Sequence, residues 1–235
     1  MSENIHVGHR DRLRKELLSK DITENIAPEK LLELLLFYGI PRQDTAPMAR
    51  ELLARFGGLG GVFEAELEEL CKVKGMTYNA ACLIRMMRPV GRAYLLSSIK
   101  PEAVLKNSGE IGSFIHTRFY GIKEEHIGLL CLNNLGQVTG FEFLAKGGIE
   151  SVGITPRKVV EVALKHKAAA VVLAHNHPGG VAIPSPQDIE LTKTLAEVLS
   201  AVSIVLLDHI IVIPDDYVSM AATVKLNGIF GVLDE

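Results

Sequence analysis

The chain has 235 residues, enough for one large domain or two small ones. Apolar residues make up 48%, ordinary for a chain with a sizeable core, and no apolar run approaches membrane-spanning length. A net charge of −3 offers no global electrostatic case for nucleic acid. Met1-Ser2-Glu3-Asn4 does not read as a signal peptide. Cys71, Cys82 and Cys131 are widely spaced, an odd set without a Cys-x-x-Cys pair. That argues against a disulfide framework and thiolate zinc, and for free thiols in the cytoplasm.

The front of the chain reads as helical. Residues 1–100 carry 15 Lys/Arg against 13 Asp/Glu, and residues 101–235 carry 10 against 15. Arg10, Arg12, Arg14 and Lys15 form a basic cluster, most simply a solvated helix face. Apolar residues recur at helical spacing over Arg12–Leu18, Pro28–Tyr38, Ala46–Phe56 and Leu67–Val73. Pro28 is a start signal and Gly57-Gly58 a stop. Val73 to Ala81 is similar to a helix-hairpin-helix turn within residues 66–97. Such a turn offers backbone N–H groups to a phosphate, and a Lys often assists. Thr77 replaces a Gly of that pattern and Asn79 a Lys, so the turn is degenerate and weak or no DNA binding is expected from it. The next helix, Asn79 to about Ser97, is expected to be interrupted at Pro89 and to end at a linker near Ser98-Ile99-Lys100-Pro101.

Beyond the linker, strands and helices alternate. Glu110–Tyr120 reads as a helix, Ile127–Leu132 and Gln137–Lys146 as strands about an Asn133-Asn134-Leu135-Gly136 turn. A helix follows from Thr155-Pro156 to about Lys167, then a buried strand over Ala169–Ala174. Ser185–Ala201 is helical, and Ser203–Ile213 supplies one or two strands around Asp208-His209. This alternation predicts an α/β sandwich. The expected domains are 1–100, helical, and 104–235, α/β.

The strand at Ala169–Ala174 runs into His175-Asn176-His177-Pro178. Residues two apart on an extended chain share a side, so His175 and His177 present two imidazoles together. Asp188 follows in the first turn of the next helix. Two His and one carboxylate suit Zn²⁺, and three protein ligands leave a fourth position open, the mark of a catalytic site. Ser185-Pro186-Gln187-Asp188 is also a good helix start, close to a capping box, which accounts for Ser185 and Asp188 without a metal.

The pattern His175-x-His177-x(7)-Ser185-x(2)-Asp188 resembles the JAMM signature of MPN-type zinc metalloproteases. Ala168 to Pro178, Leu207-Asp208-His209 and Pro156-Arg157-Lys158-Val159 resemble the bacterial RadC branch of that family. So do Gly8-His9-Arg10-x-Arg12-Leu13, Glu33 to Tyr38, Pro41-Arg42-x-Asp44 and Arg55-Phe56-Gly57, which extends the likeness over nearly the whole chain. The resemblance implies an MPN (JAB-like) α/β sandwich behind a small helical domain, with one Zn²⁺ per chain on His175, His177 and Asp188. It implies a general base on an upstream strand, for which Glu142 is the best match, five residues before Gly147; Glu150 and Glu161 compete. It implies that the Ser185 hydroxyl helps bind an oxyanion. Asp208 and His209 either orient a ligand His or form a buried polar pair ending a strand. The chain departs from RadC-like patterns at Gly179, which stands where Ser is common, and at Thr155, where His often precedes Pro-Arg.

The expected activity is zinc-dependent hydrolysis of peptide or isopeptide bonds, with a peptide or protein substrate. The alternative is a non-enzymatic metal-binding module in DNA repair or processing, acting through partners or DNA. A zinc deaminase is excluded, because Cys-x-x-Cys and His-x-Glu are missing. An HNH nuclease is disfavoured, because its residues spread over a hairpin and helix.

Overall fold

The computed structural model describes residues 8–19, 25–97, 103–147, 154–223 and 225–231. They form two compact units, Met1–Gly91 and Arg92–Glu235. The division falls inside a helix, before the linker expected at 98–101, which lies outside the described residues.

The first unit is helical: α1 (His9–Ser19), α2 (Pro28–Gly39), α3 (Ala46–Phe56), α4 (Leu59–Glu64), α5 (Leu67–Cys71) and the first part of α6 (Tyr78–Ser97). The short α4 was not foreseen. Leu32, Leu36, Leu52, Val62, Leu70 and Ile84 form the centre of its core. Gly57 closes α3 in the left-handed conformation (φ 75°), and the Gly58 amide bonds back to the Leu53 carbonyl, as a glycine C-terminal cap does. The Arg10 guanidinium satisfies the end of α2, donating to the Phe37 and Ile40 carbonyls at 3.1 and 2.7 Å. In the hairpin turn, Thr77 takes a structural role. Its hydroxyl donates to the Gly39 carbonyl at 2.8 Å and accepts the Ala80 amide at 3.1 Å, capping α6 and tying it to α2. Contrary to expectation, α6 runs through Pro89 without a break. A proline removes one intrahelical donor, and here that loss does not end the helix; its buried residues, Ala80, Ala81 and Ile84, all precede Pro89.

The second unit holds a five-stranded sheet of order β2-β1-β3-β4-β5. Its strands are β1 (His126–Leu132), β2 (Val138–Lys146), β3 (Ala170–Asn176), β4 (Val205–Ile213) and β5 (Asp216–Ser219). Only β3 and β4 pair in parallel. Helix α7 (Ser108–Phe119) covers one face through Phe114, Ile115 and Phe119, which pack on Leu130, Val172 and Ile210. Helices α8 (Pro156–Lys165) and α9 (Pro186–Ser200) cover the other, with Val159, Val162, Leu195 and Leu199 on Leu129, Val171 and Leu173. The unit is therefore an α/β/α sandwich, and β3 is buried on both faces at all seven positions. That explains its unbroken apolar run. β4 is one strand, and the bulge between Val171 and Val172 in its pairing with β3 shifts register by one residue. The Ser203–Ile213 segment thus gives a single strand, followed by the separate β5. No helix among the described residues is long and apolar enough to cross a membrane.

Candidate metal centre

The buried run of β3 ends at Asn176, and its side chains decide what the strand end presents. His175 points to the α8–α9 face, where it is 4% exposed. Asn176 points the other way and staples the chain ahead of β1. Its Oδ1 accepts the His126 amide at 2.7 Å and its Nδ2 donates to the Glu124 carbonyl at 3.0 Å. His177 leaves the strand while its amide still bonds to the Val212 carbonyl at 2.8 Å, so its ring returns to the side of His175. The turn closes with the Gly180 amide on the His177 carbonyl, and Gly180 takes φ +83°, which a side chain would strain.

Asp188 comes from the start of α9. The capping box read from Ser185 to Asp188 is present in full: Ser185 Oγ accepts the Asp188 amide at 3.1 Å, and Asp188 Oδ2 accepts the Ser185 amide at 2.7 Å. The cap and the metal reading do not exclude each other. Oδ2 serves the cap while Oδ1 faces His175 Nε2 at 3.4 Å. The cap likewise uses a lone pair of Ser185 Oγ, not its proton.

Donor atoms of His175, His177 and Asp188 all lie within 4.8 Å of one another. The two His Nε2 atoms are 2.9 Å apart. His177 Nδ1 lies 2.6 Å from the Val181 carbonyl, which can only accept. His177 therefore carries a ring proton on Nδ1 and turns Nε2 toward the cluster. Burial, with His177 nearby, pushes His175 down to about 4, against the opposing pull of the Asp188 carboxylate. The cluster thus brings together two imidazole nitrogens and a carboxylate oxygen, the donor set of a divalent cation site.

Behind the cluster, His175 Nδ1 lies 2.8 Å from Nε2 of the fully buried His209, whose Nδ1 lies 2.7 Å from Thr192 Oγ1. Asp208 does not join it. That carboxylate closes the turn after β5, accepting from the Ser219 hydroxyl and the Ala221 and His209 amides. Burial holds it above its ordinary value. Of the pair left open by the sequence, His209 touches His175 and Asp208 is structural. Thr192 was missed; a Thr one turn after an N-terminal Asp carries no local signal.

Glu142 is not brought into the cluster. It sits mid-strand on β2, opposite Leu129, which in turn lies opposite Leu173. It shares the His175 face of the sheet, but its carboxylate accepts from Lys165 Nζ at 2.5 Å and His166 Nε2 at 2.6 Å. Those bonds, Lys165 first, hold it below the ordinary carboxylate value. Gly140 makes room for this arrangement: a Cβ there would lie 2.2 Å from the His166 ring. Of the competitors, Glu161 pairs with Arg157 on α8, and Glu150 lies outside the described residues.

The five-stranded sheet with helices on both faces, and a His-x-His…Asp cluster at the end of a central strand, define a JAB-type α/β domain. Residues 105–226 match the family described as the RadC-like JAB domain, and this chain belongs to that family. Its relatives include a UPF0758 protein of Saccharophagus degradans, 34% identical over 90% of this chain and 94% of the relative. Another UPF0758 protein, from Thioalkalivibrio sulfidiphilus, is 35% identical over the same shares. One from Desulforudis audaxviator is 33% identical over 92% of each chain.

Proposed function

We propose that this protein is a zinc-dependent hydrolase of peptide or isopeptide bonds, working in the cytoplasm with its three cysteines reduced. The observation that carries the reading is the convergence of His177 Nε2, His175 Nε2 and Asp188 Oδ1 at the sheet end. His175, His177 and Asp188 hold one Zn²⁺ per chain. When bound there, Zn²⁺ supplies a Lewis acid for the carbonyl and an acidified water.

The chain's own groups do the rest. The Ser185 proton, unused by its cap, is donated to the oxygen on which negative charge develops. Glu142 carries the proton from the attacking water to the leaving amine. Its support is its place on the His175 face, two strands away and two residues lower, roughly 12 Å between backbones. That role requires the carboxylate to swing off Lys165 and His166.

A second reading is favoured by that same ion-paired Glu142: a metal-binding module without turnover, acting in DNA processing through partners. The experiment compares zinc-loaded wild type, His175→Ala and Glu142→Gln on a broad peptide and isopeptide library, with elemental analysis of each. The hydrolase reading expects cleavage by wild type alone, with zinc lost only from His175→Ala. Equal cleavage by Glu142→Gln removes Glu142 from the mechanism. No cleavage by wild type leaves the module reading in place.

A further inference from the structure

The α7 face of the sheet, turned away from the metal cluster, holds two positive charges that no carboxylate among the described residues answers. Arg118 stands half-buried in the last turn of α7, its guanidinium carbon 5.0 Å from the Phe114 ring centre and 5.5 Å from that of Phe141. Ring faces attract a cation but offer no lone pair, so its N–H groups still need acceptors. Among the described residues they find none. Nε is buried without a hydrogen-bond partner, while the two terminal amino groups, equally without one, reach solvent. Arg92 brings the second charge. It belongs to the same unit, and its Nη1 donates to the Tyr120 carbonyl, just past the end of α7. Burial lowers both guanidinia from their ordinary value, and the charge of Arg92 lowers Arg118 further; no carboxylate opposes either shift. Elsewhere the chain pairs such groups: Arg50, Arg55, Arg85, Arg88 and Arg157 each face a glutamate.

A helix C-terminus favours a cation, and that accounts for Arg92, which covers the Tyr120 carbonyl. It does not account for Arg118, which bonds to no carbonyl. Two guanidinia held together partly out of water repel each other, and each fork matches the oxygens of a carboxylate or a phosphate. We propose that Arg118 and Arg92 form a binding site for a doubly charged oxyanion, a phosphate or phosphate monoester group, at the C-terminal end of α7. A single carboxylate leaves one of the two charges unanswered. A phosphate group carries about −1.5 to −2 near neutral pH and has oxygens enough for both forks. The anion enters where the Arg118 amino groups reach solvent, and Arg92 already shields it from the Tyr120 carbonyl. The inference does not rest on the metal-site reading, because Phe114 and Phe141 pack on the sheet face opposite His175.

The test uses the full chain, ¹⁵N-labelled, titrated with inorganic phosphate at constant ionic strength. The Arg118 Nε–H signal, identified by its loss in Arg118→Lys, is expected to move and saturate, and to move far less with acetate. By calorimetry, Arg118→Met, which keeps an apolar stem over the two rings, and Arg92→Met should each bind phosphate about 10-fold or more weakly than the wild type. An unmoved Nε–H signal overturns the proposal. So does acetate acting as strongly as phosphate, or wild-type affinity in a folded Arg118→Met. If Arg118→Met does not fold, the wild-type spectra still decide. A parallel titration with adenosine monophosphate separates the sources. Tighter binding than inorganic phosphate identifies a phosphate monoester as the ligand, and equal or weaker binding the free anion. Phosphate held at a bound cation instead would leave the Arg118 signal in place, and that outcome counts against the site.

Discussion

At the scale of single residues, several side chains serve two purposes with different atoms. Asp188 caps α9 through Oδ2 and faces His175 through Oδ1. Asp188→Asn keeps an oxygen for the cap and puts an amide into the ligand position, so it should lose zinc while unfolding near the denaturant midpoint of the metal-free wild type. Asp188→Ala should lose zinc and also about 0.5–1.5 kcal/mol from the lost bond to the Ser185 amide, while Ser185 keeps its half of the box. Zinc stoichiometry and urea melts separate the two; retained zinc in either would remove Asp188 from the ligand set. Asp208 gives a pH prediction. Burial raises it, so the folded state binds its proton more tightly than the unfolded chain, and stability falls as pH rises from 3.8 through the folded value. Asp208→Asn keeps an acceptor for the His209 and Ala221 amides and does not ionise. It should gain on the wild type as pH rises through that window, read from melts between about pH 3.5 and pH 7. Parallel stability curves would refute it.

At the scale of elements, close approach matters more than propensity. A Cβ on Gly39 would lie 2.5 Å from the Ala80 backbone, so α2 meets the start of α6 only because residue 39 lacks a side chain. Thr77 bonds the Gly39 carbonyl at the same junction. Gly39→Ala should therefore cost on the order of 1–3 kcal/mol by overpacking, although alanine is the better helix former. Thermal unfolding of the variant checks this, and an unchanged or raised midpoint would show that the junction yields. The strand elements carry the converse lesson. β3 is fixed by neighbours on both faces, whereas β2 is an edge strand whose Glu142 finds partners on α8 and in the residue after it.

At the scale of the molecule, two separate cores make the units candidates for independent folding. A fragment of residues 92–235 should be soluble, cooperative and competent for zinc, since a chain of that size buries its own core. A molten fragment without metal would show that the first unit is needed. The first unit should bind DNA weakly and with strong salt dependence at most. Thr77 spends its hydroxyl on Gly39 and Ala80, and residues 1–100 are nearly neutral in charge. Nanomolar, sequence-independent binding by the full chain at physiological salt would overturn this and favour the DNA-processing reading.

Local spacing and apolar period encode a definite part of this molecule. The helices with clear start and stop signals, the buried β3 run, the two imidazoles on one side of the strand end, and the Ser185–Asp188 cap were all legible. Each depends on residues within one or two turns of one another. The breakdowns came where distant segments decide. α6 continues past Pro89 despite the donor that the proline removes. The side chain of Glu142 turns to Lys165 and His166 because the end of α8 lies over β2, which no pattern within β2 announces. His209 reaches His175 through a one-residue bulge that reverses the face its alternation would predict, and Thr192 meets it from a helix across the layer. The row from His175 through His209 to Thr192 thus joins β3, β4 and α9, which only the folded chain brings together.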